Sequence, residues 1–251
     1  MSDVLSVVIP MFNEEALAKE AVFKVGEACA HLVETHVVDD YEIVVVDDGS
    51  IDTTPCILDD LASSAKRIRV VHHARNRGLG GSLRTAFAHA VGSLVLYMDA
   101  DLPFDLAEIG NACALLRREN AGVVSAYRRD RTAEGPRRMI YSFVYNCLIR
   151  VVFAIRVRDA NFAFKLFRRD ALDGLRLRSE GSFIDVELLV GVKRCRYPIA
   201  QFEVEFFPRT RGVSTLSSMN VILQIIGELI SFRLRRAKSQ VRVLASARGA
   251  V

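Results

Sequence analysis

The sequence predicts an α/β domain in which a mostly parallel, Rossmann-like sheet carries helices on both faces. Two observations point there. Apolar runs of strand length alternate with longer stretches of helix type, and polar residues punctuate the ends of the runs, where an open parallel sheet binds its ligands. The first run, at 5–9, leads into Pro10-Met11-Phe12-Asn13-Glu14 and then a helix expected over 15–32. The second, at 42–46, ends in Asp47-Asp48-Gly49-Ser50, a tight turn before a helix over 54–64. A run at 68–71 precedes a glycine-rich segment and a helix over 82–91. The strand at 94–98 delivers Asp99 and Asp101, and a helix over 106–118 leads to a last run at 121–126.

A chain of 251 residues, 51% hydrophobic and 25% charged, is long enough for one large core or a core with an appendage. The net charge of +4 and the pI near 8.9 are too slight to argue for nucleic acid, and no nucleic-acid partner is expected. Five scattered cysteines, Cys29, Cys56, Cys113, Cys147 and Cys195, form no Cys-x-x-Cys and no even set, which fits a reducing compartment better than a disulfide framework. The first ten residues read as a strand rather than a secretion signal, so a cytoplasmic location is expected.

The pair Asp99 and Asp101 carries the most chemistry. Two residues apart on an extended chain, their carboxylates point the same way. Two hard oxygen donors suit Mg²⁺ or Mn²⁺, which keeps coordination positions open for substrate phosphate oxygens. Alternatively, the acids cap the turn that follows the strand. Asp47 and Asp48 can accept hydrogen bonds from a base or a ribose hydroxyl, while Ser50 or Asp52 can cap the next helix. In Arg75-Asn76-Arg77-Gly78-Leu79-Gly80-Gly81-Ser82, guanidiniums and glycine amides before a helix suit a diphosphate. This segment matches neither the Walker loop nor the dinucleotide Gly-x-Gly-x-x-Gly pattern.

Taken in order, Val-Val-Ile-Pro-x-Phe-Asn-Glu at 7–14, Val-Val-Asp-Asp-Gly-Ser at 45–50, Arg-Asn-Arg-Gly-Leu-Gly at 75–80 and Met-Asp-Ala-Asp-Leu at 98–102 resemble the motifs of the family-2 inverting glycosyltransferases of GT-A fold. The resemblance is especially to the dolichol-phosphate (polyprenyl-phosphate) mannose and glucose synthases and spans about residues 4–218. Later segments extend the resemblance: Ser125-Ala126-Tyr127-Arg128, Asp159-Ala160-Asn161-Phe162-Ala163-Phe164-Lys165, and a basic loop from Pro208 to Ser214. The resemblance implies that Pro10, Phe12, Glu14, Asp47 and Asp48 surround the nucleoside and that Asp99 and Asp101 hold the metal on the donor diphosphate. It places Arg128, Arg138, Ser142 and Arg209 around the acceptor phosphate and donor diphosphate, and the glycine segment with Arg75, Arg77 and Gly78 joins the donor site. Pro103 departs from the family where many relatives have a glutamine, Ala163 where they have glycine, and Thr215 where they have lysine or arginine.

The implied reaction moves a hexose, mannose or glucose, from GDP-mannose or UDP-glucose to a polyprenyl or dolichyl phosphate at the cytoplasmic membrane face. A lipid phosphate with a second pKa of about 6 is largely dianionic near neutrality and needs no general base. A soluble hydroxyl acceptor would need one, and Asp185 and Glu187 are candidates; alternatively those acids favour the start of a helix. A non-catalytic nucleotide-sugar-binding membrane scaffold is the reading from another class. The apolar stretch 137–157 is interrupted by Asn146, Arg150 and Arg156, and a tail helix presents Ile222, Ile225, Ile226, Leu229 and Ile230 on one side with arginines beyond. Neither is a clean span, and both suit peripheral contact with anionic lipid or packing against protein, including a second copy of the chain. The expected division is a catalytic domain over 1–218 and an amphipathic, basic tail over 219–251.

Overall fold

The structure, a computed structural model, describes residues 3–129 and 136–207, and of residues 136–144 the backbone alone. Its first half alternates strictly: β1 (Val4–Met11), α1 (Ala18–Glu34), β2 (Asp40–Asp47), α2 (Thr54–Ser64), β3 (Ile68–His72), α3 (Gly78–His89), β4 (Leu94–Met98), α4 (Glu108–Arg118) and β5 (Val123–Arg128). The second half adds α5 (Pro136–Phe153), β6 (Phe164–Arg168), α6 (Arg169–Asp173), α7 (Ile184–Arg194) and β7 (Ile199–Val204). One seven-stranded sheet results, in the order β3-β2-β1-β4-β6-β5-β7.

All pairings are parallel except those of β6, which runs antiparallel to both β4 and β5. The predicted α/β class and mostly parallel sheet therefore stand. The chain winds outward from β1 through β2 to β3, then returns to place β4 on the other side of β1. Such a reversal opens a crevice at the carboxyl ends of β1 and β4, the usual ligand site of an open α/β sheet.

Strands buried on both faces explain the continuous apolar runs. Val7 and Ile9 of β1 face one core cluster with Val45, Leu96 and Ala18, Val22 and Val25 of α1, while Val8 faces the other with Val44, Val46, Tyr97 and Leu83. In α4, Ile109, Ala112, Cys113 and Leu116 recur at helical spacing and are buried. All five cysteines are free, and burial, with Cys113 nearby adding to it, pushes the Cys29 thiol up to about 12.

Among the boundaries that differ from expectation, those of α1 and α3 have clear physical reasons. Helix α1 starts at Ala18 rather than at residue 15, because the amides of Leu17 and Ala18 both turn back to Glu14 O and Glu15 is tied to the loop after β2. Helix α3 starts at Gly78 and so includes the glycines expected to precede it. The stretch 137–157 is largely α5, whose final turns bury Ile149 and Phe153 in the core and leave Val151 81% exposed. Among the described residues no helix is long and apolar enough to cross a membrane. The basic loop 208–214, with Arg209, and the proposed tail 219–251 lie outside the described residues.

Candidate active site

The ends of the first three strands are level, with Met11 beside Asp47 and Asp47 beside His72 in the sheet register. Their loops are sewn together. Asn13 N donates to Ser50 Oγ at 2.9 Å, and Ile51 N donates to Asn13 Oδ1 at 2.9 Å. Glu14 N donates to the buried Thr54 hydroxyl at 2.9 Å, Glu15 N to Asp52 Oδ2 at 3.2 Å, and Thr53 Oγ1 to Glu15 Oε2 at 2.7 Å. Asn13 holds a left-handed φ of 54°, a conformation its short polar side chain tolerates. Within this rigid rim Pro10 and Glu14 are half-buried and Phe12 is 42% exposed, which leaves an aromatic face open beside the strand ends.

Asp47 and Asp48 are buried and bonded rather than left to solvent. Asp47 Oδ1 accepts from Ser50 N at 3.0 Å and Oδ2 lies 2.9 Å from His72 Nδ1. Asp48 Oδ1 accepts from Arg77 N at 2.9 Å and lies 2.7 Å from His73 Nδ1. The acids organise the loop at the ligand edge of the sheet, while the capping residue is neither Ser50 nor Asp52 as expected: Thr53 is the N-cap residue of α2 and makes no side-chain capping bond, and Ser50 and Asp52 are engaged with the Asn13–Glu15 loop. Neither histidine was singled out from the sequence. The available signal was position: two imidazoles directly after the strand run 68–71, level with the acids after the neighbouring run.

Gly49 makes the turn possible. Its φ is +73°, and a Cβ there would stand 2.7 Å from the Arg75 carbonyl carbon and 2.8 Å from Asn76 N. Gly49→Ala should therefore lower the melting temperature and weaken nucleotide binding together, because backbone rather than a yielding side chain is in the way. A thermal melt and a nucleotide titration of the variant check this; unchanged values in both would mean that the β2 and β3 loops are not locked.

The glycine segment differs from the expected open phosphate cradle. Gly78 N donates to Asn76 Oδ1 at 3.0 Å and Gly80 N to Glu180 O at 2.7 Å. A Cβ on Gly80 would run into the Ser179 carbonyl, so this glycine serves the close approach of α3 to the 179–181 backbone. That backbone is held in turn by Glu187 Oε2, which accepts from Arg178 N at 3.0 Å and Ser179 N at 2.8 Å. The side chains of Arg75 and Arg77 are exposed, whereas the Gly78 and Gly80 amides are already bonded within the protein.

Strand β4 ends at Met98, so Asp99 and Asp101 stand in the following turn rather than on extended chain, and Leu102 takes a left-handed φ of 46°. They are nonetheless brought together. The buried Tyr97 hydroxyl bonds to Asp99 and lies in the fields of Asp185, Asp99 and Asp101, and burial followed by these negative charges raises its pKa well above the usual tyrosine value. Among the described residues no group of three or more His, Cys, Asp or Glu side chains is placed to hold a metal. Two carboxylates fit a Mg²⁺ or Mn²⁺ that takes its remaining ligands from water and substrate phosphate. Pro103 is buried and supplies no side-chain ligand.

Behind this pair lies a buried ionic group. Lys165, wholly buried on β6, places Nζ 2.6 Å from Asp185 Oδ1 at the start of α7, 2.7 Å from Phe162 O and 5.5 Å from the centre of the Tyr97 ring. Burial raises the Asp185 pKa above the ordinary carboxylate value, and the lysine offsets only part of that rise. Arg128 at the end of β5 donates through Nε to Asp159 Oδ2 at 2.8 Å and lies over the rings of Phe162 and Phe206 at 5.5 and 5.3 Å. The structure thus places Asp99, Asp101 and Asp185 around one tyrosine, with Asp47 and Asp48 at the end of β2, on the far side of β1 from β4. Arg138 and Ser142 are on α5, with their side chains outside the described residues.

The family model for Glycosyl transferase family 2 matches residues 6–176, more than half of the chain. The glycosyltransferase AglD of Haloferax volcanii is 34% identical over 210 residues, covering 82% of this chain and 33% of that protein. The polyprenol monophosphomannose synthase of Mycolicibacterium smegmatis is 27% identical, covering 94% of this chain and 91% of its own. The chain thus spans about a third of the first relative and nearly all of the second. Among solved structures, the glucosyl-3-phosphoglycerate synthase of Mycobacterium tuberculosis in complex with Mn²⁺, uridine diphosphate and phosphoglyceric acid superposes with a TM-score of 0.66 at 23% identity, covering 91% of this chain and 78% of that one. That likeness shows the GT-A-like fold.

Proposed function

This chain belongs to glycosyl transferase family 2, and on that premise we propose that it transfers a hexose with inversion from a nucleotide sugar to a polyprenyl phosphate at the cytoplasmic face of a membrane. The observation that carries the reading is the pair Asp99 and Asp101 at the β4 edge of the crevice, facing the same ligand edge as Asp47 and Asp48. The acids after β2 receive the nucleoside of the donor, with Pro10, Phe12 and Glu14 around it. Asp99 and Asp101 hold Mg²⁺ or Mn²⁺, which when bound neutralises charge on the departing diphosphate. Arg75 and Arg77, on one side, and Arg128, Arg138, Ser142 and Arg209, on the other, bring two anionic substrates together against their mutual repulsion.

The surroundings of Asp185 support one acceptor class over the other. Asp185 is 2% exposed and its Oδ1 is held at 2.6 Å by a fully buried lysine, so an acceptor hydroxyl has little access to it as a base. A phosphate dianion needs no base, which supports the lipid phosphate over a soluble hydroxyl acceptor. The name of the mycolicibacterial relative, matched over 91% of its length, points the same way. Membrane contact would come from the exposed apolar side chains of α5 and from residues 219–251.

The test is purified protein with GDP-mannose or UDP-glucose, Mg²⁺ or Mn²⁺, and either a short polyprenyl phosphate or a soluble sugar acceptor. Transfer to the lipid phosphate with inverted anomeric configuration is expected, together with binding to anionic vesicles that weakens when residues 219–251 are deleted. Transfer to the soluble acceptor alone would overturn the lipid reading, and no transfer from any donor would leave the scaffold reading in its place.

A further inference from the structure

A hydrogen-bond count at the donor edge fixes the charge of a residue. His72 Nδ1 lies 2.9 Å from Asp47 Oδ2 and Nε2 lies 3.0 Å from Asp59 Oδ1. Ionised carboxylates only accept, and a neutral imidazole has a single N–H, so both bonds form only when the ring is an imidazolium. The neighbouring His73 differs, because its second partner is the Thr85 hydroxyl at 2.8 Å, which can turn to donate or accept. Asp47 is 2% exposed, and a buried carboxylate is costly unless paired. His72, 37% exposed, supplies that pairing from the rim, while Asp59 on α2 is 70% exposed and holds the ring from outside.

We propose that His72 is a positioning residue, an imidazolium clamped between Asp47 and Asp59 that aims the Asp47 carboxylate at the donor nucleoside and makes donor affinity depend on pH. This rests on the reading above that Asp47 faces the nucleoside. The charged groups facing the ring are Asp47 from β2 and Asp59 from α2; the nearby Arg67 and Arg69 are engaged by Asp40 and Glu42. Burial opposes the charge, but the hydrogen bonds to Asp47 and Asp59 and their charges outweigh it and raise the His72 pKa above its ordinary 6.5. The clamp is therefore complete below that raised value, as long as both carboxylates stay ionised. As pH rises through the raised value one bond loses its proton, Asp47 regains uncompensated charge beside an anionic donor, and affinity falls.

The experiment pairs ¹⁵N NMR of the imidazoles with titration of UDP and GDP in excess Mg²⁺, between about pH 6 and 9, in the full chain and in Asp59→Asn and His72→Gln variants. Expected are two protonated ring nitrogens on His72 at neutral pH, and a dissociation constant that rises several-fold across its titration. In Asp59→Asn both transitions should move to lower pH together, and in His72→Gln the dependence should flatten. A neutral His72 at pH near 7, or an affinity profile that stays put in Asp59→Asn, would overturn the proposal. Failure of both nucleotides to bind at every pH would instead overturn the donor reading, with the NMR titration still reporting whether the clamp exists.

Discussion

Asp101→Asn is expected to lower turnover by about a hundredfold or more while leaving the melting temperature nearly unchanged, the scale on which removal of one electrostatic stabiliser acts at a reacting centre. The amide keeps the shape of the carboxylate and one acceptor oxygen, so the turn after β4 survives, but the donor set falls from two charges to one. Among the described residues no third acidic, histidine or cysteine side chain is placed to compensate, so metal affinity should fall as well. Asp99→Asn should be as damaging to turnover and should in addition disturb the Tyr97 hydroxyl, which is bonded to Asp99. Steady-state kinetics with Mn²⁺ titrated into each variant, alongside thermal melts, check the expectation. Full turnover of Asp101→Asn, or of the unaltered protein in excess chelator, would return the two acids to the role of turn caps.

What the sequence revealed about this fold follows the range of the forces involved. Strand β4 and helix α2 lie where the pattern puts them, because an unbroken apolar run and a helix opened by Thr54-Pro55 are local signals. Strand β6 carried no such signal: Lys165 interrupts its apolar alternation and is buried only because Asp185, on a helix twenty residues later, meets it. The same limit applies to the site. Paired acids at strand ends are legible one strand at a time, whereas the imidazoles that hold Asp47 and Asp48 become visible only when β2 and β3 are set side by side. Gly80 was readable as a glycine that something must approach closely, yet the approaching group is the Ser179 carbonyl rather than a phosphate, and spacing cannot distinguish the two.

Lys165→Met should produce the largest loss of stability. The lysine is 0% exposed and its partner Asp185 is 2% exposed, so the variant strands a carboxylate in the core behind Tyr97. Breaking a buried pair from one side costs about 3–5 kcal/mol, which for a domain of this size corresponds to a drop in melting temperature on the order of 10 °C. The sign of the pH dependence separates a stranded charge from lost packing. Burial already raises the Asp185 pKa, and without the lysine, which lowers it, the rise is larger. A carboxyl with a raised native pKa binds its proton more tightly folded than unfolded, so stability falls as pH rises from the unfolded value of about 3.9 towards the native one. The deficit of Lys165→Met should therefore grow as pH rises from the unfolded carboxylate value through the raised native one and shrink as pH is lowered again, and adding Asp185→Asn should restore part of the loss at neutral pH. A deficit that is constant with pH and unrelieved in the double variant would show that the lysine stem fills space, and that the ion pair contributes nothing to holding α7 against β6 behind the acids of β4.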